Sequence, residues 1–201
     1  MTTLLQLNTS LFSEAGQSSQ LAREFVQNWQ RQHPGSRVIV RDLATNPVPH
    51  LSGERFKAFL TPAEQRTAEQ HEVTAFSDGL IDELKQADVI VVGLPLYNYG
   101  IPSSLQAYFD HVARAGVTFK YTANGPVGFL QGKRAVVFAT RGGKYLGSDN
   151  ESVTTQVRNF FKLLGITDIE FVYAEGLSID AVTRENQLIR AREQGVKLAA
   201  A

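Results

Sequence analysis

The chain has 201 residues, of which 43% are hydrophobic and 20% are charged, and it contains no cysteine. This length suits one compact domain with a sizeable core, and the lack of cysteine excludes disulfides, thiolate metal ligands and a cysteine nucleophile. Twenty basic side chains balance twenty acidic ones, so the chain lacks the basic surplus with which proteins bind nucleic acid or anionic membranes.

The N-terminal segment, MTTLLQLNTS, carries no basic leader and no long apolar stretch. Nowhere does the sequence approach the roughly 18 consecutive apolar residues that a membrane-spanning helix needs. We therefore expect a cytoplasmic protein without a membrane segment, and the absence of cysteine suits that reducing compartment.

Apolar strands alternate with amphipathic helices along the whole chain, and no linker divides it. This alternation predicts an α/β protein in which residues 1 to 201 form a single domain, with a doubly wound five-stranded parallel sheet and helices on both faces. The predicted strands cover residues 4 to 9, 37 to 42, 89 to 94, 135 to 140 and 168 to 173. The predicted helices begin near residues 18, 61, 102, 153 and 180; the second is capped by Thr61 and Pro62 and reaches residue 86, and residues 43 to 61 are predicted to be irregular.

The composition of the strands also predicts their places in the sheet. The third and fourth strands are apolar throughout and should be central, covered on both faces. The second is flanked by arginines and the fifth alternates in polarity, so both should lie near an edge. In a doubly wound sheet a ligand lies beyond the carboxyl ends of the strands where their order reverses, which directs attention to the loops after strands one, three and four.

The loop after strand one, residues 8 to 20, reads NTSLFSEAGQSSQ. Its hydroxyl and amide side chains precede a helix N-terminus, whose free N–H groups and dipole favour an anion. Because the loop contains no lysine or arginine, a phosphate would be held there by neutral donors, as suits a permanently bound mononucleotide. The same sequence would also suit a serine-rich loop that caps a helix and binds no ligand.

The other two loops carry groups suited to a flat ring system. After strand three the chain reads PLYNYG, residues 95 to 100, in which two tyrosine rings offer flat faces and Asn98 can donate and accept hydrogen bonds. After strand four, Gly142 and Gly143 free the backbone to present N–H groups, and Arg141 or Lys144 could supply positive charge. The tyrosines could instead pack under the next helix, and the paired glycines could form a simple turn.

Other chemistries lack their motifs. The chain contains no G-x-G-x-x-G dinucleotide fingerprint, no complete P-loop and no G-x-S-x-G nucleophile elbow. The four histidines are scattered without the spacing of metal ligands, so we expect no metal site.

Taken together, these residues resemble the FMN-dependent NADH azoreductases and quinone reductases of bacteria, which have the flavodoxin-like fold. The resemblance covers nearly the whole chain. It rests on the S-x-x-x-x-x-G-Q-S pattern of residues 10 to 18, RDLATNPVP at 41 to 49, PLYNYGIP at 95 to 102, YFDHVARAGVTFKYTANGPVG at 108 to 128, TRGG at 140 to 143 and FFKLLGITDIEFVYAEG at 160 to 176.

The resemblance implies the strand order 2-1-3-4-5 and one FMN per subunit. It assigns the phosphate and ribityl end of FMN to Ser10, Gly16, Gln17 and Ser18. The isoalloxazine ring would be lined by Leu96, Tyr97, Asn98 and Tyr99, and its pyrimidine side would be held by Thr140, Arg141, Gly142 and Gly143. The resemblance further implies a homodimer with shared pockets. Asn98 would contact the substrate, and Phe119 and Tyr121, after the third helix, are the candidates for an aromatic lid over it. These two aromatic residues could instead fill the core of their own subunit.

The resulting hypothesis is a two-electron ping-pong reaction in which NAD(P)H reduces FMN and leaves before a quinone or azo compound is reduced. Because the cofactor carries this chemistry, we expect no obligatory catalytic side chain. Two alternatives have different chemistry. A flavodoxin-type carrier would pass single electrons to a protein partner, although the zero net charge differs from the acidic character of such carriers. A hydrolase of the acyl carrier protein phosphodiesterase type would need a nucleophile or a metal site, and no motif in the sequence indicates either.

Overall fold

The structure is a computed structural model that describes residues 1 to 200. Five strands form one parallel sheet in the order β2-β1-β3-β6-β7. They are β1 (Thr3–Asn8), β2 (Arg37–Asp42), β3 (Val89–Pro95), β6 (Arg134–Thr140) and β7 (Asp168–Ala174); the hairpin strands β4 (Phe119–Thr122) and β5 (Gly125–Gly128) lie apart from this sheet. The order is the predicted one, with β3 at the centre and β2 and β7 at the edges.

In the described residues, six α-helices accompany the strands: α1 (Gln17–Gln32), α2 (Gly53–Leu60), α3 (Ala68–Gln86), α4 (Ser103–Val112), α5 (Val153–Leu164) and α6 (Ala181–Ala199). Successive strand residues point to opposite faces of a sheet, and the strands here supply two separate cores. Leu4 packs in the core formed with α1 and α6, whereas Leu5 and Leu7 pack in the core formed with α3, α4 and α5. Apolar residues at consecutive strand positions therefore bury both faces of the sheet.

The predicted helix α1 is confirmed, and its stripe faces the sheet. Leu21, Phe25 and Trp29 recur every four residues and are all buried, as the helical period requires.

None of the helices in residues 1 to 200 combines the length and apolar character needed to cross a membrane.

Two boundaries differ from the prediction. Residues 43 to 61 are not irregular throughout, because Gly53–Leu60 forms α2, with Ser52 accepting a hydrogen bond from the Arg55 N–H at its start. The following long helix begins at Ala68 and not at Thr61, because Thr67 and Gln70 form a capping box there. Thr61 and Thr67 are both possible N-cap residues. The reciprocal hydrogen bonds between Thr67 and Gln70 favour the later start.

The sequence analysis also missed the hairpin of β4 and β5. Its last residue, Gly128, lies against Gly165 at the end of α5, so closely that a Cβ on Gly128 would overlap the backbone of Leu164 and Gly165. The Leu130 N–H continues this contact by donating to the Leu164 carbonyl at 2.8 Å. The hairpin is thus attached to the domain by backbone contact, which four-residue strands with mostly exposed side chains do not reveal in a sequence.

Candidate functional site

The three loops singled out in the sequence surround one cavity of about 330 Å³ at the carboxyl edge of the sheet. Most of the predicted site residues line it: Ser10, Gly16, Gln17, Ser18, Leu96, Tyr97, Thr140, Arg141 and Gly142. Asn98, Tyr99 and Gly143 do not. Sequence reasoning missed the remaining lining residues, which are Phe12, Pro95, Leu177, Ser178 and Arg184.

The loop after β1 presents hydrogen-bond donors to this cavity. Gly16 caps α1 with extended backbone and provides no side-chain bond, so the first N–H groups of the helix are left without an intrahelical acceptor. The Ser18 hydroxyl is buried and has no hydrogen-bond partner within residues 1 to 200. A buried hydroxyl without a partner is unfavourable, and a bound anion at this helix N-terminus would satisfy it.

Close contacts hold this loop in place. A Cβ on Gly16 would collide with the Ser10 side chain, so only glycine permits the approach of the two. The Ser13 hydroxyl donates to Asp42 Oδ2 at 2.5 Å at the end of β2. The loop is therefore connected to the neighbouring strand as well as to α1.

The loop after β3 is a tight turn with an unusual backbone. The Tyr97 N–H donates to the Gly100 carbonyl at 3.1 Å, and the Gly100 N–H donates back at 2.9 Å. Between them Asn98 and Tyr99 have φ values of 49° and 61°, a region that residues other than glycine rarely adopt. Such strain concentrates at functional sites. In this turn, the N–H groups of Asn98 and Tyr99 have no hydrogen-bond acceptor within residues 1 to 200.

Tyr97 and Tyr99 connect this turn to the two other loops. The Tyr97 hydroxyl lies 3.3 Å from Ser10 Oγ and accepts a hydrogen bond from the Leu11 N–H at 3.3 Å. The Tyr99 ring packs edge-on against the Tyr145 ring with centroids 5.5 Å apart. The backbone carbonyl of Tyr99 accepts a hydrogen bond from the Ser152 hydroxyl at 3.0 Å. Both rings therefore connect the loops to one another, and Tyr97 also lines the cavity.

In the loop after β6, backbone groups face in two directions. The carbonyls of Gly142 and Gly143 accept hydrogen bonds from Ser178 and Gly176 at 3.0 and 2.8 Å, which joins this loop to the one after β7. The N–H groups of the same two glycines have no acceptor within residues 1 to 200. They remain able to donate to an electron-rich group of a ligand.

The guanidinium of Arg141 does not supply the positive charge that the sequence analysis allowed for. It is 2% exposed and donates to Glu151 Oε1 at 2.5 Å and to Glu175 Oε1 at 3.1 Å, and it lies over the Tyr173 ring. Glu175 also accepts from the Tyr145 N–H at 2.9 Å. One cation shared by two carboxylates leaves no excess positive charge, so Arg141 acts on the cavity by positioning its walls.

Tyr173 extends this network. Burial raises the pKa of its hydroxyl, more than the nearby Arg141 lowers it, so the group stays protonated at neutral pH. It lies 2.9 Å from Thr154 Oγ1, which in turn donates to Glu151. The chain of bonds from β7 to the start of α5 is therefore complete.

The two predicted lid residues lie elsewhere in the subunit. Phe119 is 5% exposed and Tyr121 is 75% exposed, and neither lines the cavity described above. Phe119 is thus a core residue of its own subunit, in agreement with the alternative that it fills the monomer core. Tyr121 packs edge-on against it at 5.3 Å and projects from the hairpin.

The described part of the chain, residues 1 to 200, contains no group of three or more histidine or acidic side chains that could hold a metal ion. The donors around the cavity are backbone N–H groups, hydroxyls and amides, which suit an anion and a polar ring edge better than a cation.

We predict that Arg141→Met destabilises the fold by about 3 to 5 kcal/mol, because the largely buried carboxylates of Glu151 and Glu175 would lose their cationic partner. The matched control is Arg192→Met, which removes the exposed pair with Glu24 at 2.9 Å and should change stability by less than about 1 kcal/mol. Urea unfolding followed by circular dichroism measures both. Equal losses in the two variants would contradict the structural role of Arg141.

Comparison with known proteins identifies the family. Residues 2 to 198 match the model of a family described as having a flavodoxin-like fold. The FMN-dependent NADH:quinone oxidoreductase of Cellvibrio japonicus is 54% identical over 179 residues, which cover 89% of this chain and 90% of that protein. The protein of the same name from Alcanivorax borkumensis is 50% identical over 191 residues, covering 95% and 96%.

Solved structures agree with these relatives. An azoreductase from Bacillus anthracis is 28% identical, with a TM-score of 0.91, and the match covers 100% of this chain and 99% of that one. An FMN-dependent NADH-azoreductase of the same species, solved in complex with FMN, is 26% identical with a TM-score of 0.90, covering 100% and 98%. The resemblance inferred from the sequence is confirmed: the chain belongs to the flavodoxin-like fold family whose relatives here are named FMN-dependent NADH:quinone oxidoreductases.

Proposed function

We propose that this protein is an FMN-dependent NADH:quinone oxidoreductase and azoreductase, formed by a single flavodoxin-like FMN-binding domain. The observation that carries the proposal is the buried Ser18 hydroxyl at the N-terminus of α1, which has no hydrogen-bond partner among the described residues 1 to 200 and lies in a cavity bounded by all three strand-end loops. The two cores on opposite sides of the sheet support describing that domain as doubly wound.

The donors of the cavity fit the two ends of FMN. Ser10, Gln17 and Ser18, with the free N–H groups of α1, match a phosphate monoester and a ribityl chain. At the other end, Leu96 and Tyr97 provide apolar and aromatic surface, and the free N–H groups of Gly142 and Gly143 suit the pyrimidine carbonyls. Asn98, Tyr99 and Thr140 would complete the surroundings of the ring.

FMN, when bound, would supply the redox chemistry, taking a hydride from NAD(P)H and giving two electrons to a quinone or azo compound. The chain's own residues would bind and orient the cofactor. The strained turn leaves the Asn98 and Tyr99 N–H groups without an acceptor in residues 1 to 200, and they would stabilise negative charge on the reduced ring. No side chain need act as an obligatory acid, base or nucleophile.

Two measurements test this function. Purified protein loaded with FMN should show a flavin absorption spectrum, and initial rates with NADH and menadione should give the parallel reciprocal plots of a ping-pong reaction. Steady oxidation of NADH by a small quinone distinguishes the enzyme from a one-electron carrier, which needs a protein partner. Failure of the protein to retain any FMN offered in excess would refute the proposal.

The hydroxyls of Ser18 and Ser19 provide a matched pair of substitutions. Both are buried and have no hydrogen-bond partner in the part of the chain that the structure describes, but only Ser18 lines the cavity. Ser18→Ala should therefore weaken FMN binding about tenfold by removing a donor, whereas Ser19→Ala should leave it unchanged. Titration followed by flavin fluorescence measures both, and similar weakening in the two variants would argue against a direct role for Ser18.

The proposal includes a homodimer of cytoplasmic subunits, with one FMN in each. Tyr121 supports it, because a tyrosine 75% exposed on a projecting hairpin is a group that a partner subunit could cover. Asn98 and Tyr121 would then contact the substrate from different subunits. The buried Phe119 would hold Tyr121 in place through their edge-on ring contact. Sedimentation equilibrium should give twice the 22.2 kDa of one chain, and a monomer at micromolar concentration would contradict the shared pocket.

A further inference from the structure

Arg184 is a cavity residue that neither the sequence motifs nor the preceding function uses. It belongs to the first turns of α6 and lines the cavity together with Ser18 and Ser178. Its side chain is exposed, and its guanidinium makes one long hydrogen bond, from Nη1 to the Leu177 carbonyl at 3.5 Å. Within residues 1 to 200 it forms no ion pair with a carboxylate.

Among the residues that line the cavity, Arg184 is the one cation whose charge is not already balanced. The other lining arginine, Arg141, is bonded to Glu151 and Glu175. The loop of residues 8 to 20 contains no lysine or arginine. If the cavity receives an anion, Arg184 is therefore the side chain able to neutralise it.

The position of Arg184 is not explained by the stability of α6. A cation near a helix N-terminus is opposed by the helix dipole. The N-cap residue, Asp180, does not offset this by pairing with Arg184, because its carboxylate accepts from the N–H and the hydroxyl of Thr183 at 2.7 and 2.6 Å. Within the described residues, the charge of Arg184 therefore has no carboxylate partner and is available to an anion in the cavity that it lines.

The chemistry of that ligand follows from the groups that share the cavity with Arg184. These groups are the free N–H groups of α1 and the buried Ser18 hydroxyl, which has no partner within residues 1 to 200. As hydrogen-bond donors, they suit a ligand with several acceptor oxygens. Together with a guanidinium they match a phosphate monoester, for which Arg can provide charge and two parallel donors.

We propose that Arg184 binds the FMN phosphate from the α6 side of the cavity, opposite the donors of α1. This inference rests on the proposed function and adds to it a cation that the motif of residues 10 to 18 does not include. Because Arg184 would act on the phosphate alone, it should affect FMN and leave riboflavin, which has the same ring without the phosphate, unaffected.

The test compares Arg184→Gln with wild type and with Arg190→Gln, an exposed arginine of the same helix that lies outside the cavity. The full chain, freed of flavin, is titrated into FMN and separately into riboflavin, and quenching of flavin fluorescence gives each dissociation constant. The titrations are repeated over a range of salt concentrations, and Arg184→Lys is included as the variant that preserves the charge.

We expect Arg184→Gln to raise the FMN dissociation constant about tenfold, with no change for riboflavin and none for either ligand in Arg190→Gln. Arg184→Lys should recover part of the loss, and the difference between wild type and Arg184→Gln should shrink as salt screens the charge.

Three results would overturn the inference. If Arg184→Gln weakens FMN and riboflavin equally, or neither of them, the guanidinium does not act on the phosphate. If FMN binding is unchanged but KM for NADH rises, Arg184 contacts the hydride donor instead. If wild-type protein binds neither flavin, the proposed function itself fails, and the wild-type titration distinguishes that result from a failure of the Arg184 inference alone.

Discussion

The parallel pairing of β3 with β1 and β6 is the constraint on which the candidate site depends. The pairing continues beyond the strands: the Thr9 N–H and hydroxyl donate to the Gly93 carbonyl at 3.3 and 2.7 Å, and the Leu96 N–H donates to the Thr140 carbonyl at 2.9 Å. Each loop thus leaves the sheet from a backbone position fixed by its neighbour. Three loops far apart in the sequence begin side by side for this reason.

Two further interactions hold the loops together once they have left the sheet. Tyr97 links the turn after β3 to Ser10 and Leu11 in the loop after β1. Arg141, through Glu151 and Glu175, joins the end of β6 to the start of α5 and to the end of β7. Because both links are made by side chains with several simultaneous bonds, the free N–H groups of the site are presented by a supported backbone and not by independent loops.

Several features of the fold and the site could be predicted because they depend on local pattern. The apolar runs of β3 and β6 indicated central strands, and the spacing of Leu21, Phe25 and Trp29 indicated a helix with one buried face. The start of α3 was wrong because Thr61 and Thr67 both resemble caps, and only the bond with Gln70 distinguishes them. The hairpin was missed because its strands are four residues long and attach by backbone contact at Gly128.

By itself, the sequence determined the class of fold, the family and the three loops that form the site, since period, apolar runs and turn residues are local properties. Which charged side chains are paired, and which of them face the cavity, depends on the folded structure. Arg141 proved to be neutralised by two glutamates, and Phe119 proved to be a core residue. Arg184 lines the cavity from a helix more than 160 residues beyond the loop of residues 8 to 20. Such pairings depend on distances through space, which separation along the chain does not specify.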